Sequence, residues 1–138
     1  MPATGEAGDN LSPSVLVVDD EPQARMMLRL ILARAGFEVL EARDGYEALS
    51  EVERSVPDVM ILDIMMPGID GFEVCERLRN DEQSADLPII MLSAKADPKS
   101  ISKGLSVGAN EYLTKPVTPD DLTRHVRIAL SLENEIPS

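Results

Sequence analysis

The sequence predicts a doubly wound α/β domain, and three observations predict it. Short apolar or β-branched runs alternate with longer helical patterns five times, three of the runs (15–18, 59–62 and 89–92) hold no polar residue, and most helical patterns open on a recognisable start signal. Strands that are apolar on both faces belong in a parallel sheet with helices on either side.

The elements follow in order. Residues 15–18 make the first strand and run straight into Asp19, Asp20 and Glu21. The first helix, residues 23–35, sets Ala24, Met27, Leu28, Ile31, Leu32 and Ala35 at the spacing of one buried stripe, and Gly36 stops it. Residues 38–42 are the second strand, followed by a helix from Asp44 with Glu47 three residues on, a capping-box pattern. The third strand, residues 59–62, precedes a helix that starts the same way at Asp70 and Glu73. Residues 89–92 and 111–114 complete the strands, and their helices open on Asp97-Pro98 and Thr118-Pro119, a cap followed by proline at the first helical position. Right-handed crossovers leave few windings for five such units, and the expected one is the flavodoxin-like order 2-1-3-4-5. There strands 1 and 3 are neighbours at the switch point, where ligands bind beyond the carboxyl ends of the strands.

Composition narrows the function classes. At 138 residues, 43% hydrophobic and 28% charged, the chain is sized for one soluble core. Its longest apolar runs fall far short of the roughly 18 residues of a spanning helix. Residues 1–13 read as a flexible arm without the features of a secretory signal, and residues 133–138 as a short tail. Cys75, the one cysteine, sits among Phe72, Val74 and Leu78 as a core thiol, which fits the cytoplasm. A net charge of −12 argues against nucleic acid or an anionic membrane as direct partner. The seven methionines read as core or near-core filler, and His125 as a surface residue. Gly45, Gly68, Gly71 and Gly108 form neither a dinucleotide fingerprint nor a P-loop.

Chemistry gathers where the strands end. Asp19 and Asp20 follow strand 1, Asp63 follows strand 3, Ser93 follows strand 4 and Lys115 follows strand 5. Crowded carboxylates repel unless a cation lies between them, and a few oxygen ligands suit Mg²⁺. A carboxylate such as Asp63 is also a nucleophile toward a phosphoryl group when Mg²⁺, Lys115 and the Ser93 hydroxyl neutralise the transferring oxygens. Several of the rim residues have a plainer reading beside this one. Asp19 or Asp20 alone reads as a helix cap, Ser93 as a turn residue and Tyr112 as a rim aromatic.

Taken together, VLVVDDE, LDIMMPGIDGFE, IIMLSAKAD and GANEYLTKP closely resemble the receiver domain of two-component response regulators, stand-alone chemotaxis-type receivers included, over about residues 14–132. The resemblance implies that Asp63 is the phosphoacceptor and that Asp20, Asp63 and the Met65 carbonyl ligate Mg²⁺, with Asp19 acting through a water. It implies that Lys115 contacts the phosphoryl group, that Ser93 and Tyr112 form the switch, that Met65 and Lys95 tune water access, and that the bond before Pro116 is cis. The implied partners are a sensor histidine kinase or histidine phosphotransfer protein and a downstream effector, with a homodimer through helix 4, strand 5 and helix 5 as a further expectation. The chain is then a switch rather than a turnover enzyme. Its rival is a Mg²⁺-dependent phosphohydrolase acting through an aspartyl-phosphate, which needs a second acid where this chain has Met65. A purely structural pseudo-receiver is opposed by the intact set of Asp20, Asp63 and Lys115.

Overall fold

Strand β1 (Ser14–Val18) lies second in a parallel sheet of five, flanked by β2 (Glu38–Ala42) and β3 (Val59–Leu62), with β4 (Ile89–Ser93) and β5 (Glu111–Thr114) beyond, so the order is 2-1-3-4-5 as expected. This computed structural model describes residues 12–134. The expected arm and tail lie largely outside the described residues.

The connecting helices are α1 (Pro22–Arg34), α2 (Gly45–Arg54), α3 (Gly71–Arg79), α4 (Pro98–Ser106) and α5 (Pro119–Asn134). Alternation along the strands divides the core in two. Leu16, Val18, Met60, Leu62 and Met91 face α2 and α3, while Val15, Val17, Ile61, Ile90 and Leu92 face Leu28 and Leu32 of α1 and Leu122 and Val126 of α5.

The start signals work through their caps. Asp44 accepts the Glu47 N–H at 2.8 Å, Asp70 the Glu73 N–H at 3.0 Å and Asp97 the Ser100 N–H at 3.0 Å. Thr118 does the same for Asp121 at 3.1 Å. The reciprocal half of each capping box does not form. Glu47 reaches back to Arg43 N instead, and Glu73 is taken by Arg77.

Three expectations need correction. The buried stripe of α1 narrows to Leu28 and Leu32, with Met27 61% exposed, because Met27 lies about 100° round the helix from Leu28 and faces the groove between α1 and α5. Met26 and Met65 are also exposed, so of the described methionines only Met60, Met66 and Met91 fill the core. His125 is half-buried rather than free on the surface: its Nδ1 lies 2.5 Å from Glu111 Oε1 where α5 packs on β5, without hydrogen-bond geometry.

Candidate functional site

Register builds the site. Val18 pairs with Leu62 across β1 and β3, and the Asp63 N–H donates to Val18 O at 3.0 Å, so Asp19 and Asp63 leave the sheet side by side. On the other side Ser93 pairs with Thr114, and the Lys115 N–H donates to Ser93 O at 2.9 Å. The long Lys115 side chain then crosses the strand ends. Its Nζ stands 3.1 Å from Asp19 Oδ2 and 3.7 Å from Asp63 Oδ2.

One carboxylate oxygen from each of Asp19, Asp20 and Asp63 lies within 4.8 Å of the other two. Asp19 is 1% and Asp63 8% exposed, so these charges sit largely out of water. Three carboxylates against one ammonium leave two negative charges uncompensated, the charge of one divalent cation. Burial lifts the Asp63 carboxyl above its usual range; Lys115 pulls it back only in part and Asp19 adds to the rise. Burial also opposes the charge on Lys115, but Asp63 and Asp19 together outweigh it and its pKa is raised. An all-oxygen cluster with surplus negative charge has the donor chemistry of a Mg²⁺ site.

The plainer cap reading of Asp19 and Asp20 has no support in the geometry. The N-cap of α1 is Glu21, without a side-chain cap bond, and Asp19 Oδ1 accepts the Glu21 N–H at 2.9 Å. Asp63 Oδ1 is fixed by the main-chain N–H of Ile64 at 2.7 Å and, more loosely, of Met65 at 3.4 Å. Its Oδ2 is left toward Lys115.

Ser93 is fully buried at the end of β4, where its Oγ accepts the Lys95 N–H at 3.2 Å. Tyr112 donates its hydroxyl to Lys95 O at 2.7 Å. Its ring has room because position 104 is glycine: a Cβ there would stand 2.8 Å from the Tyr112 ring. Met65 and Lys95 line one shallow hollow with Ile64, Met66, Asp70 and Phe72. The Lys115–Pro116 bond is cis.

Other residues fall away from the cluster. Cys75 is buried, with its thiol pushed up by burial and 3.5 Å from Val107 O, a core role. Lys103 of α4 lies 4.6 Å over the Phe72 ring and Arg124 of α5 pairs with Asp121 at 2.7 Å, so both cations have partners away from the cluster. Sequence reasoning missed Arg25, whose Nη1 donates to Asp19 O at 2.7 Å; an arginine off the apolar stripe gives no signal that it turns back to the loop before its helix.

Residues 15–127 match the family model described as the response regulator receiver domain. The chain is 38% identical over 125 residues to the DNA-binding dual master transcriptional regulator RpaA of Synechocystis, covering 91% of this chain and 52% of that protein. It is 41% identical over 117 residues to the phosphate regulon transcriptional regulatory protein PhoB of Pseudomonas aeruginosa, covering 85% of this chain and 51% of that one. The chain thus spans about half the length of these curated relatives. Among solved structures it resembles a putative response regulator from Chloroflexus aurantiacus, with TM-score 0.84 and 40% identity over 87% of this chain and 98% of that one. It also resembles the chemotaxis protein CheY4 of Vibrio cholerae, with TM-score 0.82 and 37% identity over 86% of this chain and 99% of that one. Among the described residues no helix is long and apolar enough to cross a membrane.

Proposed function

We propose, for a chain that belongs to the response regulator receiver domain family of two-component systems, that it is a switch charged by phosphoryl transfer onto Asp63. The observation that carries this reading is Lys115 Nζ placed between Asp19 and Asp63 at the rim where three carboxylates converge. A phosphohistidine on a sensor kinase or histidine phosphotransfer protein is the donor. Asp63 Oδ2 attacks phosphorus, the P–N bond breaks with its electron pair returning to the imidazole, and an acyl phosphate forms on Asp63. Asp20, Asp63 and the Met65 carbonyl would hold Mg²⁺, with Asp19 beside them, and the bound ion would neutralise the transferring oxygens. Lys115, whose Nζ lies against Asp19 and Asp63, adds the remaining positive charge.

The Ser93 hydroxyl, whose oxygen accepts the Lys95 N–H, then donates its proton to a new phosphoryl oxygen while Lys115 holds another, and any turn of Ser93 toward the phosphoryl group pulls on the Lys95 main chain. Tyr112 is tied to the same loop through Lys95 O, so a shift at Ser93 reaches β5 and the α4 face. Met65 and Lys95, beside the phosphoryl site, would set the access of water and hence the lifetime of the charged state. The proposed readers are a downstream effector or a second copy docking on α4, β5 and α5, and the cytoplasm is the proposed compartment.

The test is labelling by acetyl phosphate and by a panel of phosphorylated kinases, with a multiple-turnover phosphatase assay against the phosphohydrolase reading. Stoichiometric label with slow loss is expected; rapid turnover would overturn the switch. Lys115→Ala is expected to retain a divalent cation yet lose at least about tenfold in labelling rate, since a positioned charge is typically worth that or more. Wild-type labelling in Lys115→Ala would remove it from the mechanism. For the reading face, beryllofluoride with Mg²⁺ is expected to change self-association or partner affinity in sedimentation or titration, because a two-state switch acts only through the difference in affinity of its states. No change with beryllofluoride, and none on reversing a cation of this face, Lys99 on α4 (Lys99→Glu) or Arg124 on α5 (Arg124→Glu), would exclude it.

A further inference from the structure

Asp20 is the most exposed of the three carboxylates and lies on a loop, so something must hold that loop in place. Asp19 is held at its N–H by Ala42 O at 3.1 Å, and at its carboxylate by Glu21 N and Lys115. The peptide that links it to Asp20 has one further tie. Arg25, on the first turns of α1, curls back and donates Nη1 to Asp19 O at 2.7 Å, a charge-assisted bond, while its Nε donates to Glu41 Oε1 at 3.0 Å. Glu41 sits on β2 and its second oxygen takes Arg29 at 3.1 Å. The guanidinium is therefore clamped between a strand neighbouring β1 and the carbonyl immediately before Asp20.

The geometry points to Arg25 as a positioning residue that presets Asp20 for its cation, an inference that rests on the divalent-cation reading above. A guanidinium has no lone pair to offer a cation, and Arg25 acts instead by fixing the plane of the peptide that leads into Asp20. Electrostatics and positioning predict opposite signs. Removing a positive charge near three carboxylates would by Coulomb's law tighten cation binding. Losing the clamp lets the Asp19–Asp20 peptide rotate and loosens binding, by about tenfold, as for other residues that orient metal ligands. The sign of the change decides between them.

The experiment is Mn²⁺ titration of the full chain by electron paramagnetic resonance, with Mg²⁺ competition, at a temperature where melting curves show every variant folded. Arg25→Gln is expected to weaken Mn²⁺ about tenfold and Arg25→Lys, which keeps the charge and a single donor nitrogen, to recover part of that loss. Arg29→Gln, which loses only the other arm of Glu41, is the control and is expected to bind as wild type. Unchanged or tighter binding by Arg25→Gln, an equal loss in Arg29→Gln, or no recovery by lysine overturns the inference while the cation site stands. Absence of saturable Mn²⁺ binding in the wild type overturns the site and the inference together.

Discussion

Asp63→Asn is expected to leave the fold intact and to cut labelling by acetyl phosphate or a phosphorylated kinase below about one hundredth of wild type, because an amide oxygen is no comparable nucleophile. The substitution keeps the acceptor that Ile64 N needs, so the loop geometry survives. It also removes one of three crowded charges. Burial raises the folded-state pKa of Asp63, so the folded chain holds that proton at pH values where the unfolded chain has released it. Wild-type stability therefore falls as pH rises through this range, and the cost is gone below the ordinary carboxylate value of 3.8. In chelator at pH 7 Asp63→Asn is expected to melt higher than wild type, by about 3 to 5 °C for each kcal/mol relieved. The gap should close as pH approaches 4. Full labelling of the variant would overturn the phosphoacceptor assignment, and a lower melting point in chelator would overturn the crowding argument.

The parts of this arrangement that follow from periodicity were legible in the sequence. Strands ending in Asp19, Asp63, Ser93 and Lys115 locate the rim because a parallel sheet brings all its carboxyl ends to one edge, and the register does so within one residue. Caps were legible too, since an Asp side chain seeks the N–H groups at a helix start. What was not legible is decided by approach between elements. The apolar spacing of α1 fits several faces; only its docking against the sheet selects Leu28 and Leu32 and leaves Met27 outside. The turn of Arg25 back to Asp19 O and the close approach of His125 to Glu111 are of the same kind. No pattern in either helix announces them.

Gly71 is the clearest example of such an approach, and it supplies the second large effect. It opens α3, is buried, and donates its N–H to Ile64 O at 2.9 Å. A Cβ there would stand 2.5 Å from Asp63 O and 2.8 Å from Ile64 Cα, both main-chain atoms that cannot rotate away. Gly71 has no positive φ, so alanine meets no torsional penalty, and helix propensity alone would make Gly71→Ala stabilising by up to about 1 kcal/mol. The clash is larger. Overpacking a closed site costs about 1 to 3 kcal/mol, more when backbone must move, and the net expectation is a loss of about 2 kcal/mol or more with a melting point some 6 to 10 °C lower. The displaced atoms belong to Asp63 and its neighbour, so Mn²⁺ affinity should fall with stability. Gly45→Ala separates this from any buried glycine: its Cβ would meet the side chains of Ile69 at 2.6 Å and Val74 at 2.7 Å, which can shift their rotamers. Gly45→Ala is expected to lose less stability and to keep cation affinity. If Gly71→Ala melted with the wild type and bound Mn²⁺ equally well, the packing of α3 against the strand that presents Asp63 would not set the site.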